Sequence, residues 1–81
     1  VYPNPFNPSL NIDLLIHDPG QLLFEVYDLK GRIIKKKEYN YDGDGNYSIL
    51  WQPAKISSGI YFIVLTFNNR YTETKKVSFL K

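Results

Sequence analysis

The sequence holds 81 residues with ten Lys or Arg against eight Asp or Glu, a formal net charge of +2, no cysteine and 16% aromatic residues. A charge that small argues for neither a nucleic-acid nor a membrane-surface partner, and without cysteine there is no disulfide framework, thiolate metal site or cysteine nucleophile. A domain of this length buries only about 60 to 65% of the surface its unfolded chain exposes, which limits it to one thin core.

The first nine residues carry three prolines and two asparagines, in Tyr2-Pro3-Asn4-Pro5-Phe6-Asn7-Pro8-Ser9. Proline fixes φ and removes a backbone donor, so this segment reads as a stiff, extended lead-in able to add a seventh short strand. Leu10, Ile12, Leu14 and Ile16 then recur at every second position against Asn11 and Asp13, the period of a strand with one buried face. Asp18-Pro19-Gly20 breaks that strand as a turn. From Leu22 to Asp28 the alternation resumes, with Leu22, Phe24 and Val26 on one side and Leu23, Glu25 and Tyr27 on the other. Gly31, inside Leu29-Lys30-Gly31-Arg32, supplies the positive φ of a tight hairpin, and the return strand runs from Ile33 to Tyr39.

Asn40-Tyr41-Asp42-Gly43-Asp44-Gly45 is dense in turn formers and predicts a loop. After it Tyr47, Ile49 and Trp51 alternate with Ser48, Leu50 and Gln52 as a strand that Pro53 ends. Ile60 to Phe67 is an apolar and aromatic run interrupted by Thr66, and it predicts a central strand covered on both sides. Asn68-Asn69-Arg70 predicts a hairpin connection, because asparagine tolerates the left-handed conformation. In the closing strand, Tyr71 to Leu80, the residues Tyr71, Val77 and Phe79 share a face with Glu73 and Lys75, a mixture that belongs at a rim. Six such segments without helical periodicity predict an all-β fold: an antiparallel immunoglobulin-like β-sandwich of six to seven short strands, one domain over residues 1–81, closed around Phe24, Trp51 and Phe62.

The chain shows little equipment for catalysis. His17, the one histidine, stands at a turn and is read as a solvated surface residue. Glu25 and Asp28 lie on a strand and its turn, and Asp42 and Asp44 in a short glycine loop, whereas glycoside hydrolysis needs two carboxyl groups across a substrate cleft. The expectation is a protein that is not an enzyme and uses no cofactor. Asp42, Asp44 and Asn46 set oxygen side chains at alternate positions like the opening of an EF-hand loop, but Tyr47 replaces the turn glycine and Pro53 the bidentate glutamate. They are a weak metal candidate, with turn geometry the stronger reading. In Lys35-Lys36-Lys37 alternation turns Lys36 away from the other two, which fits a strand edge kept from aggregating by lysine better than a nucleic-acid patch. Tyr27, Tyr39, Tyr61 and Tyr71 are candidates for a sugar-stacking surface, although packing across strands is the commoner use.

Taken in order along the chain, five motifs carry a resemblance: Tyr2-Pro3-Asn4-Pro5-Phe6-Asn7-Pro8-Ser9; Val26-Tyr27-Asp28 with Gly31-Arg32; Gly45-Asn46-Tyr47 leading to Trp51; Ser58-Gly59-Ile60-Tyr61-Phe62; and Thr74-Lys75-Lys76-Val77 before Lys81. Over the whole chain this pattern resembles the C-terminal sorting domains of the bacterial type IX (Por) secretion system, and it is also similar to the immunoglobulin-like module of flagellar hook-capping proteins. The resemblance implies a module fused behind a secreted cargo, such as a hydrolase or adhesin. The module is expected to cross the periplasm of a Gram-negative bacterium, be recognised by the outer-membrane translocon without inserting in the membrane, and be cleaved off or hold the cargo at the cell surface. Carried over motif by motif, it marks Tyr2, Pro3, Asn4, Pro5, Gly31, Gly59, Tyr61, Lys75, Lys76, Val77 and Lys81 as recognition residues, with the closing strand as the face that is read. Asp42-Gly43-Asp44-Gly45 and Lys55-Ile56-Ser57 depart from the family pattern, in loops that vary freely in such sandwiches. The alternative expectation is an accessory carbohydrate-binding or structural spacer module of a modular secreted enzyme.

Overall fold

The computed structural model describes residues 9–53 and 56–79. Six strands form: β1 (Leu10–Ile16), β2 (Gly20–Asp28), β3 (Ile33–Tyr41), β4 (Gly45–Trp51), β5 (Gly59–Phe67) and β6 (Tyr71–Phe79). A four-stranded sheet in the order β3-β2-β5-β6 faces a two-stranded sheet of β1 and β4, all pairs antiparallel, in an immunoglobulin-like β-sandwich. No helix among the described residues is long and apolar enough to cross a membrane. The lead-in with Tyr2, Pro3, Asn4 and Pro5, its expected seventh strand, and the tail with Leu80 and Lys81 lie outside the described residues.

Alternation explains the core. Val26 stands opposite Ile63 and Phe24 opposite Leu65, and this side of the large sheet carries the buried Leu22, Phe24, Val26, Tyr61, Ile63 and Leu65. β1 and β4 lay Ile12, Ile49 and Trp51 over them. Trp51 joins the layers: its ring meets Phe24 edge-on at 6.4 Å and Phe79 edge-on at 5.4 Å between centroids. Such aromatic pairs add about 0.5 to 1.5 kcal/mol each beyond the area they bury.

Two expectations need correction. β5 is central, as predicted, but only one of its faces is covered: Tyr61, Ile63 and Leu65 are buried, while Ile60, Phe62 and Val64 on the other side are half-buried. Phe62 therefore packs on the outer surface beside Tyr27, its cross-strand partner, and Tyr61 and Phe79 take the inner position expected for it. A run apolar on both faces shields its backs with in-sheet neighbours and does not require a layer on each. β3 also runs two residues beyond the predicted end at Tyr39, because Tyr41 pairs with Gly20 and shortens the loop to Asp42–Asp44.

Gly20 opens β2 where a close approach demands it. The Asn68 backbone N–H donates to the Gln21 carbonyl at 2.8 Å and its Oδ1 accepts from the Gln21 N–H at 2.9 Å. Asn68 and Asn69 both sit at positive φ, 54° and 56°, the conformation predicted for this turn. A Cβ on Gly20 would collide with the Asn68 side chain and the tip of the Phe67 ring. Gly20→Ala is expected to push the Asn68 amide aside and cost about 1 kcal/mol with the lost bond, seen as a lower urea midpoint at unchanged slope.

Candidate functional site

Three motifs separated in sequence meet at one end of the four-stranded sheet. Tyr27 stands opposite Phe62, and Phe62 opposite Lys76, so one row crosses β2, β5 and β6 on the outer face. The neighbouring row, Asp28 to Tyr61 to Val77, points inward. Gly59 pairs with Phe79 at the same end, and Trp51, which packs on Phe79, pairs with Leu10. β1 thus begins, and β6 ends, where the hairpin between β2 and β3 turns.

That hairpin is built on Asp28. Its Oδ1 accepts from the Lys30 and Arg32 backbone N–H groups, each at 2.9 Å, and its Oδ2 from Arg32 Nε at 2.8 Å. Gly31 adopts the positive φ, 85°, that this turn requires, and its N–H donates to the Asp28 carbonyl at 3.0 Å. The hydrogen bond from the Arg32 backbone is the largest influence holding the Asp28 carboxyl below the usual carboxylate range, against an opposing effect of burial. The folded state favours the ionised form, so the stabilisation is complete above the unfolded value of about 3.9 and disappears as pH falls through the depressed folded value. Urea unfolding between about pH 2 and pH 6 is expected to lose stability on this acid limb, and Asp28→Asn to flatten it.

The remaining recognition candidates divide by environment. Tyr61 is buried at 6% exposure, its hydroxyl donates to the Ser57 carbonyl at 2.7 Å, and its ring lies 5.8 Å from Phe79. It braces the loop before β5 from inside. Gly59 holds a φ of 156°, which side chains rarely adopt. On the edge strand β6, Lys75 and Lys76 are exposed and point to opposite sides: Lys75 stands in register with the core residue Ile63, and Lys76 with Phe62. Lys75 reaches Glu73 at 3.7 Å. Val77 is half-buried opposite Tyr61. A partner contacting both lysines meets the strand edge rather than one face.

The four tyrosines considered for sugar stacking do not share a surface. Tyr61 is in the core, Tyr71 is 64% exposed on an overhanging inner face, and Tyr27 lies on the outer face, where its hydroxyl donates to Glu25 at 3.0 Å and its pKa is raised by that bond. The structure groups Tyr39, Tyr41 and Tyr47 instead, with Tyr39 and Tyr41 stacked at 6.4 Å and Tyr41 and Tyr47 tilted at 4.3 Å. Burial, and then the two neighbouring tyrosines, raises the Tyr41 pKa. The i, i+2 spacing of Tyr39 and Tyr41 was the available signal for this cluster, masked by the turn formers around it. Asp42 and Asp44 are exposed in the β3–β4 loop and Asn46 projects outward from β4 beside Leu15. No three His, Cys, Asp or Glu side chains come together among the described residues.

Two open clefts flank the sandwich where the small sheet ends. One, about 640 Å³, lies between β1 and β6 over Leu22, Leu65 and Phe67, with the exposed His17 on its rim. The other, about 530 Å³, lies between β3 and β4.

A family model, that of the secretion system C-terminal sorting domain, matches residues 1–79. The chain belongs to this family. No curated protein and no solved structure matches it. The sorting domain is a non-catalytic module, and membership implies secretion or cell-surface export with a cargo joined on its N-terminal side. Its matched region takes in every strand described above.

Proposed function

We propose that this sorting domain is the signal by which a fused cargo, a hydrolase or an adhesin, is passed from the periplasm of a Gram-negative bacterium to the outer-membrane translocon of the type IX system and delivered to the cell surface. The observation that carries the reading is the gathering of three family motifs into adjacent rows at one end of the large sheet, in a chain that matches the family from residue 1 to 79. Gly31, Gly59 and Tyr61 keep that end in shape. Lys75, Lys76 and Val77 lie on β6, which among the described residues has one edge without a strand partner, and Tyr2, Pro3, Asn4, Pro5 and Lys81 enter the same proposal through their motifs.

Residues 1–81 fused behind a periplasmic reporter, in a host with this export machinery, are expected to bring the reporter to the surface or the medium. Retention in the periplasm refutes the reading. The competing accessory-module reading finds no shared face among Tyr27, Tyr39, Tyr61 and Tyr71.

A further inference from the structure

Among the described residues β3 pairs with β2 alone, so its other edge offers backbone N–H and C=O groups to an incoming strand. The side chains along it are unevenly matched. Lys36 stands opposite Glu25, whereas Lys35 and Lys37, on the other side of the strand, stand opposite the apolar Val26 and Phe24. None of the three makes an ion pair among the described residues, where the pairs are Arg32 with Asp28 and Lys75 with Glu73, and the Glu25 carboxylate accepts from the Tyr27 hydroxyl at 3.0 Å. Lys37 is poised over the Tyr39 ring, 5.1 Å from its centroid. The ammonium-bearing positions recur at a strand's own two-residue repeat of roughly 7 Å.

Both lysines line the cleft of about 530 Å³ between β3 and β4, together with Trp51, Gln52, Ile34 and Ile56. Trp51 is 7% exposed and its indole N–H has no acceptor among the described residues. The hydrogen-bonding groups of the two lysines and the indole are all donors, which selects an acceptor-bearing anion. Ile33 and Ile34 leave 49% and 40% of their surface exposed at the start of the same edge strand. Like charge discourages a second copy of β3 from pairing here, and the same charge attracts an acidic strand.

We propose that the free edge of β3, with the cleft it shares with β4, binds an extended peptide segment that carries acidic side chains at alternate positions and apolar ones between them or beyond. The peptide adds a strand to the large sheet, its carboxylates facing Lys35 and Lys37 and its apolar end covering Ile34 and Ile56. This does not rest on the export role, because binding is read on the 81-residue chain alone.

Trp51 is the chain's one tryptophan and lines the cleft, so its emission reports occupancy. Titration with a capped synthetic peptide of alternating glutamate and valine is expected to give a saturable emission change that a lysine–valine peptide does not. Affinity is expected to fall severalfold between about 50 and 300 mM salt as the charges are screened. It should fall at least tenfold in the Lys35→Glu, Lys37→Glu double variant and persist in Arg70→Glu. The milder Lys35→Gln, Lys37→Gln pair, checked for an unchanged circular dichroism spectrum, separates loss of charge from loss of fold. No saturable change, equal binding by the parent and the glutamine pair, or equal binding of the lysine–valine peptide overturns the proposal.

Discussion

Phe24→Ala is expected to unfold the domain or bring it to the edge of unfolding. Phe24 is 1% exposed, sits midway along β2, and its ring lies against Trp51 of the opposite sheet. Truncating a buried phenylalanine costs about 3 to 5 kcal/mol through lost transfer energy and the cavity left behind. A chain of this length has roughly 4 to 12 kcal/mol in total. With a core one side chain deep, little is available to collapse into the space. Phe62→Ala, a change of the same chemistry on the half-buried outer face, is expected to cost clearly less. Urea denaturation followed by Trp51 emission and by circular dichroism checks both, and a Phe24→Ala midpoint no lower than that of Phe62→Ala would place the core elsewhere.

Lys75→Glu combined with Lys76→Glu is expected to leave the fold intact and to reduce export of a fused reporter at least tenfold. Both lysines are exposed on the β6 edge, and the one ion pair lost, Lys75 with Glu73, is a surface pair worth about 0 to 1 kcal/mol. Charge reversal on both sides of the strand alters whatever approaches that edge while sparing the packing of Val77 and Phe79 inside it. Matched denaturation curves with periplasmic accumulation of the reporter are the expected outcome. Normal export by the folded double variant would remove β6 from recognition and leave the Gly31 hairpin and the start of β5, with Gly59 and Tyr61, as the described candidates at that end of the sheet. This variant and the Lys35, Lys37 pair act on opposite edges of one sheet, so their effects separate.

The candidate site was legible in fragments. Gly31 at its hairpin and Lys75 beside Glu73 on a mixed, exposed strand can be read from spacing, because turn geometry and a two-residue repeat are local properties. The tyrosine cluster was not, since Tyr41 lies among turn formers and gains strand geometry only by pairing with Gly20. Nor could the lysines of β3 be sorted into one opposite a carboxylate and two opposite core residues until their cross-strand neighbours were known.

Alternation and allowed backbone angles are enough to place the six strands, the turns at Gly31 and at Asn68-Asn69, and the inward set Leu22, Phe24 and Val26. Long-range packing is needed for β1 to pass over its sequence neighbour and pair with β4, for Phe62 to face out while Tyr61 faces in, and for residues 27–28, 61–62 and 76–77 to form adjoining rows. A period of two sorts side chains into two faces without saying which is buried. Where both sets are apolar, as in β5, only the position and width of the second sheet make that choice.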